Sequence, residues 1–282
     1  MSLLHAIVLG IVQGLTEFLP ISSSGHLILV PWLFGWNVFH GNANLNKTFD
    51  VALHLGTFVA ALAYFRREIV VIVRAWLGSL ARRSVKTPNE RLAWLLLVST
   101  VPAGLVGVAF ESFVEDRLGK PWLICVMMIA FGLVMLAVDI TARARKHMDD
   151  LRFGGALGIG VAQAIALSPG VSRSGITMVT GLLLGLDRES AARYSFLLSV
   201  PVVGGAALLQ LGQLATNGMP PRMLAPFVVG TIAAAISGLA AIWFLLDYLR
   251  THTFAIFVAY RLIVGVSLLV VILAGLRPAT GI

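Results

Sequence analysis

Two apolar regions of this chain, residues 2–36 and 154–186, are each long enough to cross a lipid bilayer, and each is broken near its middle by Pro, Gly and Ser. The breaks read Leu19-Pro20-Ile21-Ser22-Ser23-Ser24-Gly25 and Ser168-Pro169-Gly170-Val171-Ser172-Arg173-Ser174-Gly175. Backbone that leaves the helix at membrane depth carries polar groups that hydrocarbon cannot satisfy, so it persists only where protein or a water-filled cavity surrounds it. Each region therefore reads as a helix, loop, helix hairpin that enters and leaves on one face. Six further stretches, residues 49–65, 92–110, 122–139, 194–214, 224–247 and 254–274, approach the roughly 20 mainly apolar residues needed to span about 30 Å of hydrocarbon. The expected fold is an all-α polytopic membrane protein, a single integral membrane domain over 1–282 with six transmembrane helices and two re-entrant hairpins.

Composition agrees. Of 282 residues, 58% are hydrophobic and 12% charged, which excludes an ordinary soluble domain. The formal charge of +8 could suggest a nucleic-acid partner, but the basic residues lie scattered between apolar stretches, so that partner is set aside. The lipid bilayer is the expected partner, with a homodimer carried as a further expectation. The one cysteine, Cys125, sits in an apolar run, which rules out an intramolecular disulfide and a cysteine metal cluster. Leu3 to Leu15 resembles a secretory signal in hydropathy, but it has no basic n-region, and Gln13 and Glu17 stand where the apolar core should continue. It reads as mature structure.

Gln13 to Gly25 and Gln163 to Gly175 share a pattern at an offset of 150: each begins with Gln and ends Ile/Val-Ser-X-Ser-Gly. Repeat one then covers about 1–140 and repeat two about 154–276. Each hairpin is followed by three spans, an odd number, so the second copy enters from the opposite face, giving an inverted-topology repeat. The loops 66–91 and 140–153 hold seven and four basic residues; with Arg188, Arg193 and Arg250 they put 14 on one side, against Lys47, Arg117, Lys120, Arg222 and Arg277 on the other. The richer side is expected to be cytoplasmic. The first hairpin then faces outward and the second inward. The glycines around Gly104, Gly107, Gly204 and Gly205 read as close helix packing.

Ionisable groups at membrane depth are costly unless paired or hydrated, which makes Glu17, His26 and Arg173 functional candidates. Gln13 and Glu17 are four apart and share a helix face that points at the first break. The serine-rich breaks offer hydroxyls and helix-start amides, a ready anion site, and Arg173 adds a planar fork of donors suited to phosphate. Serines also cap and pack membrane helices; recurrence in both copies favours the phosphate reading for Ser22, Ser24, Ser172, Ser174 and Arg173. If the tips meet, arginine would neutralise a transferring phosphoryl group. His26 could attack phosphorus or activate a water or serine, and Glu17 could orient the histidine or hold a cation. Asp50 and His54, four apart, could line the same cavity or mark a hydrated helix end. Tyr260 and Arg261 could brace backbone carbonyls or touch substrate. His5, His40, His147 and His252 have no assigned role.

The run Gln13-Gly14-Leu15-Thr16-Glu17-Phe18-Leu19-Pro20-Ile21-Ser22-Ser23-Ser24-Gly25-His26, followed by Pro169-Gly170-Val171-Ser172-Arg173-Ser174-Gly175, closely resembles the two signature motifs of the bacterial undecaprenyl-pyrophosphate phosphatases, also called bacitracin-resistance proteins. Thr48-Phe49-Asp50 with Leu55-Gly56, Phe196-Leu197-Leu198 before Pro201, and Ala259-Tyr260-Arg261 sit where that family has similar runs. The resemblance implies an inner-membrane enzyme with an outward-facing site that removes the terminal phosphate of undecaprenyl pyrophosphate, a polyprenyl pyrophosphate lipid substrate. That reaction regenerates the carrier for peptidoglycan precursors and confers bacitracin resistance. It also implies a divalent cation, Mg2+ or Ca2+, held by Glu17 and Gln13, and catalytic roles for Glu17, Ser23, His26 and Arg173, with either Ser23 or His26 as nucleophile. Many members carry glutamate where this chain has Gln13, and an amide is a poorer metal ligand than a carboxylate, so the metal role rests mostly on Glu17. A carrier or flippase of phosphorylated polyprenyl lipid is the alternative from a different class, since inverted repeats with broken helices suit alternating access. A carrier needs anion-binding groups but no general base, so Glu17 and His26 favour the enzyme.

Overall fold

The structure is a computed structural model that describes residues 1–39, 42–113, 117–143, 145–217 and 223–280. Arg222 and His40 lie outside the described residues. Among the described residues the long apolar runs, whose backbone groups must be satisfied internally at membrane depth, form eleven α-helices: α1 Leu3–Phe18, α2 Ser23–Phe34, α3 Ala43–Tyr64, α4 Arg66–Arg82, α5 Pro88–Phe113, α6 Pro121–Thr141, α7 Phe153–Ile165, α8 Arg173–Leu183, α9 Arg188–Asn217, α10 Leu224–Tyr248 and α11 Ala255–Leu273. A 3-10 turn, Met148–Asp150, lies between α6 and α7, and the described residues contain no strand, only an isolated bridge between Lys146 and Leu186. Among the described residues four helical segments are long and apolar enough to cross a membrane: Pro88–Ala109, Pro121–Thr141, Leu224–Tyr248 and Ala255–Leu273.

One expectation is corrected. Residues 66–91 are not a basic loop: Arg66–Arg82 forms α4, whose arginines lie among apolar residues at helical spacing, and the run was too charged to stand out by hydropathy alone. Glu68 at its start accepts from Arg193 NH2 at 2.5 Å, and Arg82 at its end pairs with Glu90 of α5. The glycine reading is also corrected in part. A Cβ at Gly104 or Gly205 would meet nothing within 4 Å, and one at Gly107 only Leu167 Cδ2 at 3.9 Å, so among these four only Gly204 is closely approached, by Phe58 at 3.0 Å.

Close packing falls elsewhere. α1 packs most extensively on α10, where a Cβ at Gly14 would sit 2.5 Å from the Ala234 carbonyl oxygen. α7 packs in the same manner on α5, where a Cβ at Gly160 would sit 2.6 Å from the Ser99 carbonyl oxygen. α3 lies against α10 and α9, α9 against α5, and α11 against α6. The main core runs through the middle of the bundle and includes Phe18, Ile21, Phe131, Met135, Ile176, Phe196 and Phe257. It leaves a continuous apolar exterior, with Leu105, Val108, Ile236, Ile263 and Leu273 all more than half exposed, as expected where the solvent is hydrocarbon. At the end of the bundle that holds the α9 start, buried Asp139 accepts from Arg188 Nε at 2.7 Å and from the Phe254 amide at 2.8 Å, tying α6, α9 and α11 together.

Candidate active site

The two breaks share one local construction. α1 ends at Phe18 and α7 at Ile165, each a few residues before a proline (Pro20, Pro169) that lacks the amide a continuing helix would require. The chain then turns through a serine with positive φ: Ser22 at +77° and Ser172 at +81°. Non-glycine residues avoid this region, so the strain must be held by surrounding contacts. Each serine hydroxyl caps the helix that follows, Ser22 Oγ accepting from the Gly25 amide at 3.4 Å and Ser172 Oγ from the Gly175 amide at 3.1 Å. The breaks also touch. Ser22 Oγ accepts from the Gly170 amide at 3.0 Å, and Ser174 Oγ donates to the Leu19 carbonyl at 3.2 Å.

Arg261, fully buried on α11, clamps both. Its Nε donates to the Met128 carbonyl at 3.1 Å, NH1 to Pro20 at 3.2 Å and NH2 to Gly170 at 2.6 Å, with the guanidinium 5.1 Å above the Phe131 ring. One side chain thus pairs a carbonyl from each break.

Where the breaks meet, α1, α2, α3 and α8 bring their polar side chains to one carboxylate. Glu17 is buried. Its Oε2 accepts from Ser23 Oγ at 2.6 Å and from Gln13 Nε2 at 3.1 Å, and its Oε1 accepts from Arg173 NH2 at 3.1 Å. His54 Nε2 lies 3.7 Å from Oε2, held there because Nδ1 donates to the Asp50 carbonyl at 2.7 Å. Arg173 is aimed by a second bond, NH1 to the Ser195 carbonyl at 3.2 Å. Side-chain exposure rises from 6% at Glu17 through 14% at Arg173 to 33% at His54, so the site opens past His54.

Of the residues singled out in the sequence, Gln13, Glu17, Ser23 and Arg173 form this cluster, and His54 joins it. Ser22, Ser172 and Ser174 are buried inside the breaks with their hydroxyls spent on backbone and on each other; Ser24 is half-buried at the start of α2. His26 stands apart from the carboxylate. Its Nδ1 donates to the Ser22 carbonyl at 2.7 Å, which in the neutral ring leaves Nε2 as the acceptor, and the Tyr260 hydroxyl, 2.8 Å away, donates to it. The two rings stack at 5.6 Å. Asp50 contributes its backbone carbonyl to His54. The Ser195 carbonyl and the Thr177 hydroxyl, which bonds Ser195 Oγ at 2.7 Å, carried no sequence signal because nothing in an apolar run marks which carbonyl an arginine will find.

The donor set fits a divalent cation in one way. Among the described residues no three His, Cys, Asp or Glu side chains converge on a metal position. Yet Gln13 Oε1 is buried with no partner, directly beside Glu17. One carboxylate plus one amide oxygen suits Mg2+, which typically takes one or two carboxylates and completes its shell with substrate phosphates and water.

The profile of the family described as Bacitracin resistance protein BacA matches residues 6–267. A protein of Pelobacter propionicus named Undecaprenyl-diphosphatase is 46% identical over 277 residues, covering 98% of this chain and 99% of its own. Proteins of the same name from Desulforudis audaxviator and Geobacter sulfurreducens are 48% and 45% identical, covering 95% and 97% of this chain and 97% and 100% of their own. With a profile match over nearly its full length and relatives at this identity, the chain belongs to the bacitracin resistance protein family.

Proposed function

We propose that this chain is a membrane enzyme that hydrolyses undecaprenyl pyrophosphate to undecaprenyl phosphate and inorganic phosphate, recycling the lipid carrier for cell-wall synthesis. The observation that carries it is the 2.6 Å hydrogen bond from Ser23 Oγ to Glu17, with Arg173 across the same carboxylate. A carrier of phosphorylated lipid has no use for a serine hydroxyl on a buried base; a phosphatase does.

In the proposed chemistry, Glu17 takes the Ser23 proton as Oγ attacks the terminal phosphorus. The phosphoanhydride bond breaks, and undecaprenyl phosphate leaves with the bridging oxygen. Arg173 holds the equatorial oxygens of the transferring group, and the first amides of α2 and α8 face the charge that develops there. Water then attacks phosphorus, Glu17 returns its proton to Ser23 Oγ as that oxygen leaves, and inorganic phosphate departs as H2PO4−; His26, held between the Ser22 carbonyl and the Tyr260 hydroxyl, positions the start of α2 that carries Ser23. Glu17 and Gln13 Oε1 would hold a divalent cation whose chemistry is to offset pyrophosphate charge. Ser22, Ser172 and Ser174 shape the amide cradle, and phosphate contacts fall to Ser24 and Arg173.

The finer architecture is part of this proposal: six spans and two re-entrant hairpins in inverted repeat, in the bacterial cytoplasmic membrane, with the site open to the outer face. The matched construction of the breaks, and the matched packing of α1 on α10 and α7 on α5, support the repeat. The positively charged α4 supports the orientation. The test is phosphate release from undecaprenyl pyrophosphate by purified protein with Mg2+, beside Arg173→Ala. Release that vanishes in the variant is expected; no release from folded protein across several divalent cations would sink the reading.

A further inference from the structure

His54, on α3 at the mouth of the site, takes no part in the chemistry proposed above. Its Nδ1 lies 2.7 Å from the Asp50 carbonyl, which can only accept, so the ring hydrogen sits on Nδ1 and Nε2 of the neutral ring carries a lone pair. That lone pair faces Glu17 Oε2 at 3.7 Å, and a carboxylate oxygen is also an acceptor. Two acceptors hold such positions only with a positive centre between them. A proton there would draw nitrogen and oxygen together to about 2.7–2.9 Å. A divalent ion instead keeps its ligands apart: with bonds of about 2.0–2.6 Å, neighbouring ligand atoms stand roughly 3–4 Å from each other. The observed separation falls in the second range and outside the first.

Two further features suit a metal. Gln13 Oε1 is a buried acceptor without a partner, and the nitrogen of the same amide lies 3.1 Å from Glu17 Oε2. Turning the amide over puts its oxygen in place of that N–H and frees on Oε2 the lone pair that a cation would take. The hold on His54 is also the one that metal-binding histidines commonly have, the second ring nitrogen tied to a backbone carbonyl that fixes tautomer and orientation. Arg173 sits on Oε1, so guanidinium and cation need not share an oxygen. His26 is no rival, because the Tyr260 hydroxyl already donates to its Nε2.

We propose that His54 Nε2 is a third protein ligand of the divalent cation, beside Glu17 Oε2 and Gln13 Oε1, and that it makes this site prefer a first-row transition ion to Mg2+ or Ca2+. The proposal rests on the cation position of the phosphatase reading and adds the ligand that sets its selectivity. Oxygen donors alone suit the hard ions Mg2+ and Ca2+, whereas an imidazole nitrogen shifts preference along the transition series toward Zn2+.

Mn2+ is the probe, added to the full chain in detergent without substrate and followed by electron spin echo modulation. With isotope-labelled histidine in otherwise unlabelled protein, a directly bonded imidazole should shift the nitrogen coupling, and His54→Gln should abolish it. The parent should bind Mn2+ about ten-fold more tightly than Mg2+. The variant should lose about ten-fold in Mn2+ affinity and less than about two-fold in Mg2+ affinity read by competition. Mn2+ bound to the parent without histidine coupling, a coupling that survives in the variant, or equal affinity of the parent for Mn2+ and Mg2+ would each overturn the proposal. So would folded parent that binds no Mn2+. None of these readouts needs turnover, so phosphate release with Mg2+ remains a separate test of the phosphatase reading.

Discussion

Arg261→Met removes a buried side chain whose shape methionine partly restores while its three donors are lost. The guanidinium pairs the carbonyls of Met128, Pro20 and Gly170; Met128 lies within α6 and keeps its helical partner, so the variant leaves the two break carbonyls without theirs. Each orphan costs about 1–3 kcal/mol, a gross loss of about 2–6 kcal/mol. Part returns because a buried cation no longer has to be desolvated, and replacing a buried charge by an apolar group is sometimes neutral when its partners are replaced too. Here the partners are backbone and stay. The net expectation is a loss of about 2 kcal/mol or more, concentrated where the breaks meet. Pro20 and Gly170 lie within a few residues of Glu17 and Arg173, and a shift of about 1 Å between catalytic groups costs about 10²-fold in rate. Phosphate release should therefore fall about 100-fold, with a lowered unfolding temperature in detergent. Arg261→Lys keeps the charge but loses the planar fork, and should fall between parent and methionine variant. A methionine variant with activity within three-fold of the parent and an unchanged unfolding temperature would refute the clamp.

Ser23→Ala should abolish phosphate release, by about 10²-fold or more, while substrate binding persists; release at the parent rate would move the nucleophile away from Ser23. Tyr260→Phe removes the hydroxyl that donates to His26 Nε2, one hydrogen bond of about 1 kcal/mol, so kcat should drop about five-fold with KM little changed, and a changed KM alone would make Tyr260 a substrate contact. Gln13→Glu adds a second carboxylate where an amide oxygen has no partner, and should tighten Mn2+ binding followed by electron paramagnetic resonance about ten-fold; unchanged affinity would remove Gln13 from the cation site.

The helices and the breaks were legible because membrane depth leaves few options: an apolar run interrupted by Pro, Gly and Ser must fold back or line a cavity, and 150 residues on the pattern recurs. Gln13, Glu17 and Arg173 were legible because strongly polar side chains in such a run are rare. What stayed hidden depends on tertiary direction. α4 was masked by its arginines, since hydropathy averages over the face that a helix separates. Ser22 and Ser172 read as phosphate ligands, while their hydroxyls cap the helices that follow, because a hydroxyl's partner depends on a φ of +77° or +81° that no residue type announces. His26 looked like a neighbour of Glu17 but, four residues beyond Ser22, it returns to the Ser22 carbonyl and Tyr260, 234 residues away.

The Glu17–Arg173 pair joins fold to chemistry. A buried ion pair in an apolar bundle is a weak source of stability, since desolvation consumes much of the attraction, and its members are expensive to separate without a replacement partner. A pyrophosphate headgroup is such a replacement. It offers Arg173 several anionic oxygens where Glu17 offers one, and Arg173 already keeps NH1 on the Ser195 carbonyl, so only the end bearing NH2 need change partner. Glu17 Oε1 is then without its cation while Oε2 keeps the Ser23 hydroxyl at 2.6 Å, which strengthens the carboxylate as an acceptor for that proton. On this logic the base is quenched by arginine in the resting protein and released by the anion it is to act upon. In the proposed chemistry, Ser23 thereby stays inactive until a headgroup with enough charge to capture the arginine reaches the junction of the two breaks.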